Sequence, residues 1–315
     1  MRALKLNGVL EYLNNVPVPE ADRDQALLRM IRAGICNTDL ELAKGYMNFS
    51  GILGHEFVAM VEDGPHEWIG KRVVGEINVA DGECEFCQRG IPSQCSNRVT
   101  VGIDRHDGAF ADYMALSSTN LHVVPDNVTD DEAVFVEPLA AALQVLEAVH
   151  ISPRDRVIVV GIGKLGSLVA QVLRLTGADV VGLVRREKQT RLLEKWGIPY
   201  AVREDLQDRS AQVVVDCTGT SDGFATSLDL VKPRGTIVLK STYTGIPQAD
   251  LTRIAVDEVR VIGSRCGPFD AALRLLDAGI VDVLSLIDAR YPIEQSMEAL
   301  EHAAQNGMLK VLLDF

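Results

Sequence analysis

A loop in the first third of the chain contains three cysteines and an aspartate at a spacing typical of a metal site. The stretch DGECEFCQRGIPSQC provides Asp81, Cys84, Cys87 and Cys95. Three thiolates and a carboxylate can close a tetrahedral zinc site. Free thiols or a disulfide are the alternative, but six cysteines in 315 residues are too few for a disulfide scaffold. The spacing therefore predicts a structural zinc site.

Four further residues, spread along the chain, are of types that zinc accepts. Cys36 follows an apolar strand pattern, and His55 comes after a turn glycine with Glu56 beside it. Glu137 interrupts the apolar segment AVFVEPLAAAL, where burying an unpaired carboxylate would be costly without a metal. Three protein ligands and one open position are what a catalytic zinc requires. Ordinary core positions are the alternative that spacing alone leaves open.

A glycine-rich turn is predicted between a strand and a helix. The apolar strand Val157–Val160 is followed by GIGKLG at 161–166. In this context the glycines allow a tight turn, approach of the backbone to a pyrophosphate, and close packing of helix on strand. A purely structural turn is the alternative. The predicted cofactor-binding residues are Gly161, Gly163, Lys164, Leu165 and Gly166, with Thr218 from a later segment.

The end of the next strand predicts which nicotinamide cofactor is preferred. An acidic residue there would bind the adenosine ribose 2′-hydroxyl, whereas a basic residue favours a 2′-phosphate. Val184 ends the strand and is followed by Arg185 and Arg186, while Asp179 lies at the opposite end. The pattern favours NADP over NAD. A solvated pair of surface arginines is the alternative interpretation.

The elements that must position these residues change in character along the chain. Up to about residue 124, short strand patterns such as Ala26–Ala33 and Glu56–Val61 alternate with glycine and proline turns, which indicates a mostly β domain. From a predicted helix at Asp130–His150 onward, strands and helices alternate as in the βαβ units of a parallel sheet. The predicted elements of the tail are helices at 271–278 and 294–306 and a strand at 310–313.

Charge and hydropathy exclude several classes of function. Lys and Arg number 31 against 44 Asp and Glu, a formal net charge of −13, so neither nucleic acid nor an anionic membrane is an expected partner. The most apolar stretch, Val157 to Val184, is interrupted by charged residues and cannot span a bilayer. The N-terminus lacks the apolar centre of a signal peptide. We expect a cytoplasmic protein that acts on a small molecule.

Taken together, the motifs resemble the zinc-dependent alcohol dehydrogenase type of the medium-chain dehydrogenase/reductase family. The resemblance covers essentially the whole chain, and the motifs occur in the family's order. They are GICNTDLE (34–41), GHEFVAMVE (54–62), the loop 81–95, DGAFADYM (107–114), EPLAAAL (137–143), GIGKLG (161–166), VVDCTGT (214–220) and KVLLD (310–314). The implied α/β fold has a GroES-like β-rich catalytic domain (1–128), a doubly wound parallel-sheet Rossmann domain (129–266), and a C-terminal segment (267–315) that rejoins the catalytic domain.

The resemblance also implies roles around a catalytic zinc. Cys36, His55 and Glu137 match the ligands in the sorbitol- and threonine-dehydrogenase-like variant, whose third ligand is a glutamate. Glu56 matches an acidic residue that can exchange onto that zinc. Thr38 matches the hydroxyl that relays the substrate's proton. Asp39, the neighbour of Thr38 in the same turn, is also predicted to be catalytic, as is Glu56. Asp81, in the predicted structural site, stands where most relatives have the first of four structural cysteines.

The activity implied by the resemblance is reversible hydride transfer between a primary or secondary alcohol or polyol and NADP or NAD. The resemblance also implies a homo-oligomer, either a dimer or a tetramer. A metal-free quinone or enone reductase of the same superfamily is one alternative, and a non-catalytic NADP(H)-binding protein is another.

Overall fold

The computed structural model describes residues 1–243 and 246–315, which form two compact units. The first unit comprises Met1–Glu137 and Phe269–Phe315, and the second comprises Pro138–Pro268. Among the described residues, no helix combines the length and the apolar character needed to cross a membrane.

The first unit begins with short strands joined by glycine turns. Its strands up to residue 123 are β1 (Ala3–Asn7), β2 (Val9–Leu13), β3 (Gln25–Gly34), β4 (Gly51–Ile52), β5 (Glu56–Asp63), β6 (Arg72–Gly75), β7 (Asn78–Val79), β8 (Val99–Val101), β9 (Arg105–His106), β10 (Tyr113–Ser117) and β11 (Leu121–Val123). Its helices in the same stretch and just after it are α1 (Asn37–Ala43), α2 (Glu85–Gln88) and α3 (Asp130–Ala133). The strand β3 is long and alternates buried with more exposed residues, as expected for a strand with one face on the core.

The second unit is built from alternating strands and helices, as the sequence predicts. After α4 (Val136–Ala148) its elements are β12 (Arg156–Val160), α5 (Lys164–Arg174), β13 (Asp179–Leu183), α6 (Glu187–Lys195), β14 (Tyr200–Ala201), β15 (Ala211–Asp216), α7 (Ser221–Leu230), β16 (Val231–Leu239), α8 (Leu251–Val256) and β17 (Arg260–Gly263). The strands pair in parallel in the order β14-β13-β12-β15-β16-β17. The order changes direction between β12 and β15, and ligands of such sheets bind at the carboxyl ends of the strands at this point.

The C-terminal segment returns to the first unit. It consists of α9 (Phe269–Asp277), β18 (Ile287–Pro292), α10 (Ser296–Ala303) and β19 (Lys310–Asp314). β19 pairs antiparallel with β3, with Leu312 opposite Gly34, and β18 pairs parallel with β19. A seven-stranded sheet results, with the order β11-β6-β5-β3-β19-β18 and β10 paired to β3. This pairing brings the first residue of β19, Lys310, into the sheet that contains β5.

The prediction of one helix over Asp130–His150 was wrong, because α3 and α4 are separate helices. Pro138 has no N–H to donate and is tolerated only in the first turn of a helix, so a new helix begins just before it. The units also divide later in the chain than the predicted boundaries at 128/129 and 266/267. At the first boundary α3 stays with the first unit, where Arg72 Nη1 donates to Asp130 Oδ1 at 2.9 Å.

Candidate functional site

The turn that begins α1 brings three of the predicted residues together. Cys36 is the N-cap of α1, and its backbone N–H donates to Asp39 Oδ2 at 2.8 Å. The other carboxylate oxygen of the fully buried Asp39 accepts from the Gly54 N–H at 3.2 Å. Thr38 Oγ1 lies 3.7 Å from Cys36 Sγ. Asp39 therefore ties the turn of Cys36 and Thr38 to the segment that precedes β5.

His55 and Glu56 enter the same site at the start of β5. β3 and β5 pair so that Gly34 lies opposite Glu56. His55 Nδ1 lies 3.3 Å from Asp39 Oδ1, without the alignment of a hydrogen bond. Burial lowers the pKa of His55, but Asp39 and Cys36 together outweigh burial and raise this pKa well above its ordinary value. Asp39 thus lies next to the Nδ1 atom of the ring. In many metal sites a carboxylate occupies this position while the other ring nitrogen binds the metal.

Cys36, His55 and Glu56 form a group of donors compact enough for one metal ion. One ligand atom from each residue lies within 4.8 Å of the others. His55 and Glu56 are buried, and Cys36 is partly exposed. Glu137, which lies in the first turn of α4, is outside this group of described residues. The structure therefore brings together a thiol, an imidazole and the carboxylate of Glu56.

Lys310 is a member of this site that the sequence analysis missed. Its ammonium donates to Glu56 Oε2, and the two side chains are 4% and 2% exposed. Burial lowers the pKa of Lys310, but the charge of Glu56 and, after it, those of Cys36 and Glu137 raise this pKa above its ordinary value. A Cβ at Gly34 would lie 2.6 Å from Glu56 Oε2 and 3.3 Å from Lys310 Cδ, so the glycine makes room for the pair. The only signal in the sequence is a lysine beginning an apolar strand.

The cysteine loop brings all four predicted residues together. The ligand atoms of Asp81, Cys84, Cys87 and Cys95 lie within 4.8 Å of one another. Cys84 Sγ is 3.6 Å from Cys87 Sγ, which is 3.4 Å from Asp81 Oδ1. Cys84 is the N-cap of α2, so this short helix carries Cys87 one turn later. Three thiols and one carboxylate are a competent set for a closed zinc site.

The carboxylate of this loop is held by groups that the sequence analysis did not single out. The N–H groups of Glu83 and Cys84 donate to Asp81 Oδ1 at 2.9 and 3.1 Å, and Asn97 Nδ2 donates to Oδ2 at 2.7 Å. These bonds hold the pKa of Asp81 well below its usual range. Backbone hydrogen bonds lower the pKa of Cys84 to about 7, and burial followed by hydrogen bonds raises the pKa of Cys87 to about 12. One thiol is therefore close to ionisation at neutral pH, and metal ligation requires deprotonated thiols.

The predicted phosphate-binding turn lies between β12 and α5. Gly161 has a φ of +94°, and a Cβ at Gly166 would lie 2.0 Å from the Gly161 carbonyl oxygen, so both positions require glycine. Gly163 is the N-cap of α5, and a Cβ there would meet nothing within 4 Å. Lys164 and Leu165 follow in the first turn and are partly exposed. The open space at Gly163 leaves the start of α5 accessible to a ligand's phosphates.

Thr218 packs against this turn from the end of β15. Its methyl carbon would lie 2.8 Å from a Cβ at Gly161. Asp216 Oδ1 accepts from the backbone N–H and the hydroxyl of Thr218 at 2.8 and 2.7 Å, and Tyr243 donates to Oδ2 at 2.7 Å. Asp216 is buried, and its two hydrogen bonds to Thr218 fix the position of this residue.

Arg185 and Arg186 lie just beyond β13 and are exposed. Val184, which precedes them, is buried. Gln189, in α6, contacts the backbone of both arginines and also Ile162 in the glycine-rich turn. The structure therefore connects the two segments predicted to bind the cofactor through a residue that the sequence analysis missed.

Known proteins match the chain in both units. Residues 22–126 match the alcohol dehydrogenase GroES-like domain, and residues 165–278 match the zinc-binding dehydrogenase domain. L-threonine 3-dehydrogenase of Escherichia coli (strain K12) is 30% identical, over 80% of this chain and 77% of its own length. The chain belongs to the zinc-dependent medium-chain dehydrogenase family. Its members that resemble this chain include arabitol-phosphate, sorbitol and threonine dehydrogenases, which are oxidoreductases that act on CH–OH groups.

Other medium-chain dehydrogenases match along nearly the whole chain. D-arabitol-phosphate dehydrogenase of Enterococcus avium is 28% identical over 95% of this chain and 92% of its own length. A protein of Sinorhizobium meliloti 1021 assigned as a zinc-binding dehydrogenase, with NADP bound in its crystal structure, has a TM-score of 0.90 and 27% identity over 100% of this chain and 99% of its own. The family recognised from the motifs and the GroES-like and Rossmann folds are thus confirmed.

Proposed function

We propose that the chain oxidises a primary or secondary alcohol or polyol, reversibly, using zinc and a nicotinamide cofactor with a preference for NADP. The observation that carries this proposal is the approach of ligand atoms from Cys36, His55 and Glu56 to within 4.8 Å. Relatives named for D-arabitol phosphate, D-arabinitol and sorbitol support a polyol or polyol phosphate as substrate. The cytoplasmic location and the homo-oligomeric state expected from the sequence stay predictions.

The donor set around Cys36 fits a catalytic zinc. A thiolate, an imidazole and a carboxylate are all ligands of such sites, and the buried Asp39 stands behind His55. When bound, zinc would act as a Lewis acid toward the alcohol oxygen and lower its pKa. We propose Cys36 and His55 as two of the ligands, with Glu137 as the third by family resemblance and Glu56 as its competitor by position. Metal content of the Glu56→Gln and Glu137→Gln variants separates the two carboxylates.

Thr38 is the residue we propose to move the proton of the alcohol. Its hydroxyl is 3.7 Å from Cys36 Sγ and its side chain is partly exposed, so it lies between the donor group and solvent. Asp39 is buried, and its oxygens already accept from Cys36 and Gly54, so it acts by holding the turn rather than by taking the proton. Both residues were predicted as catalytic, and the contacts support different roles for them.

The four residues of the cysteine loop are proposed as a second, structural zinc site. Asp81, Cys84, Cys87 and Cys95 would fill all four positions of a tetrahedral ion and leave none for substrate. Because such a site is closed, its metal contributes folding free energy rather than chemistry.

The preference for NADP rests on Arg185 and Arg186. The residue directly after β13 is the buried Val184 rather than a carboxylate, and a guanidinium can bind a 2′-phosphate bidentately. A charge-assisted hydrogen bond contributes roughly 1.5–3 kcal/mol, or about tenfold to a hundredfold in preference. The double variant Val184→Asp with Arg185→Ser should therefore reverse the preference, measured as kcat/KM for NADP and NAD at low ionic strength. Equal or better use of NAD by the unchanged protein contradicts this part of the proposal.

The test of the whole proposal combines metal analysis with a substrate screen. We expect two zinc ions per chain, and turnover of a polyol, polyol phosphate or simple alcohol in a screen with both cofactors. Cys36→Ser and His55→Ala should abolish turnover and keep NADPH binding, because the second unit is unchanged. Turnover of a quinone or enone by the metal-free protein, or cofactor binding without turnover of any alcohol, would contradict the proposal.

A further inference from the structure

The side-chain amide of Gln189 connects two segments that are far apart in sequence. Its Oε1 accepts from the backbone N–H groups of Arg185 and Arg186 at 2.8 and 3.1 Å. Its Nε2 donates to the carbonyl oxygen of Ile162 at 2.8 Å. Ile162 is the buried residue between the first two glycines of the turn before α5. One side chain thus spans from the glycine-rich turn to the loop after β13.

The two connected segments would bind different parts of one dinucleotide. The glycine-rich turn faces the pyrophosphate, and the residues after β13 face the adenosine 2′ position. The distance between pyrophosphate and 2′ position is set by the cofactor, so the protein must hold the two segments at a matching distance. A hydrogen-bonded amide between the two segments can hold them at such a distance.

We infer that Gln189 is a positioning residue for cofactor discrimination, which holds the Arg185–Arg186 backbone against the glycine-rich turn so that a 2′-phosphate is recognised. This inference rests on the proposed NADP preference. It goes beyond it by assigning part of the discrimination to a residue that acts through the backbone of Arg185 and Arg186. Arginine side chains are long and flexible, so a fixed backbone reduces the entropy lost when a guanidinium binds the phosphate.

Helix capping is the purely structural explanation of the same contacts. Gln189 is the third residue of α6, and its bond to the N-cap Arg186 is one half of a capping box. Capping alone affects stability and does not distinguish NADP from NAD. Capping does not explain the hydrogen bond to Ile162, because Ile162 lies outside α6, in the glycine-rich turn between β12 and α5.

The experiment compares Gln189→Met with Asp250→Ala as the matched control. Asp250 is the N-cap of α8 in the same unit, and its side chain accepts from the Arg253 N–H at 3.0 Å, so the control removes a cap far along the chain from the predicted cofactor segments. Dissociation constants for NADPH and NADH are measured by nicotinamide fluorescence on the full-length, metal-loaded protein. We expect Gln189→Met to lower the preference for NADPH over NADH by about tenfold. This is the change in affinity that corresponds to the weakest charge-assisted hydrogen bond. The control should leave the preference unchanged.

A second variant covers the case in which Gln189→Met does not fold. Gln189→Glu keeps the capping oxygen and loses the N–H that reaches Ile162, and its preference for NADPH should also fall. The added charge is screened as ionic strength rises, whereas the lost connection is not, so the fall should persist at high salt.

The outcomes separate this inference from the proposed function. If the unchanged protein prefers NADPH and the Gln189 variants keep that preference, or lose affinity for both cofactors equally, the inference is overturned and the proposed function stands. If the unchanged protein does not prefer NADPH, the cofactor part of the proposed function fails and the inference fails with it.

Discussion

Replacing Lys310 by methionine should destabilise the first unit strongly. The Lys310 ammonium and the Glu56 carboxylate are 4% and 2% exposed, so the pair lies in the interior rather than at the surface. Removing one partner of a buried pair leaves an uncompensated charge and typically costs about 3–5 kcal/mol. The ammonium also lies 5.6 Å from the centre of the Phe135 ring, a further favourable contact. Methionine keeps most of the apolar stem and lacks the ammonium, so the loss of stability mainly reports the charge.

The assay is urea unfolding, with metal content measured so that variants are compared at equal occupancy. A total stability of about 5–15 kcal/mol is usual for a domain, so the predicted loss is a large share of it. The double variant Lys310→Met with Glu56→Gln should recover part of the loss, because a buried amide costs less than a buried unpaired carboxylate. Lys310→Arg keeps the positive charge and serves as the control for packing.

Two results would refute this reasoning. One is a loss of less than about 1 kcal/mol in Lys310→Met, which is the range of an exposed pair. The other is a double variant no more stable than Lys310→Met, since the cost would then come from packing around the lysine stem and not from the charge of Glu56.

Three further predictions follow from the same geometry. Thr38→Ala should slow turnover by about 10²–10⁴-fold, while Thr38→Ser should slow it little, because only the hydroxyl passes the proton. Cys87→Ser should lower the melting temperature and remove one metal ion per chain while the remaining ion supports turnover, because the loop site is closed. Burial lowers the pKa of His122, but hydrogen bonds to Glu76 at 3.1 Å and Asp270 at 2.7 Å outweigh burial and raise it. The stabilisation from His122 should therefore be complete below about pH 6.5, the ordinary pKa of histidine, and decline as pH rises through the raised value.

Each of these has a result that contradicts it. Wild-type rates in Thr38→Ala would show that the proton leaves by another route. Loss of both metal ions or of all turnover in Cys87→Ser would mean that the loop is not an independent site. For His122, the free energies of urea unfolding of the wild type and of His122→Asn are compared from pH 5.5 to 8.5. A difference that does not shrink with rising pH would contradict the assigned direction.

The parts of the site that lie close together in sequence were predictable. The spacing of the cysteine loop and the order of strand, glycines and helix at 161–166 each follow from local chemistry, and the structure places both groups as the residues suggest. The C-terminal strand could be predicted as an element, but not its partner. Its pairing with β3 is a long-range contact, and Lys310 meets Glu56 only because of it.

Residues that act by holding others were not predictable, because their types are ordinary. An asparagine or glutamine in a polar stretch indicates a surface position, yet Asn97 orients Asp81 and Gln189 connects two loops. The helix predicted over Asp130–His150 failed for a related reason. The apolar periodicity of the sequence continues through Pro138. The helical hydrogen bonding is nevertheless interrupted between α3 and α4, because proline has no N–H to donate.

The donor group around Cys36 contains its own compensating charge. A thiolate of Cys36 and the carboxylate of Glu56 would repel one another at short range in a buried site. Lys310 offsets this, because the charges that raise its pKa are those of Glu56, Cys36 and Glu137. The lysine therefore supplies a positive charge beside these donors. Since Glu56 already has this partner, its participation as a metal ligand must compete with Lys310.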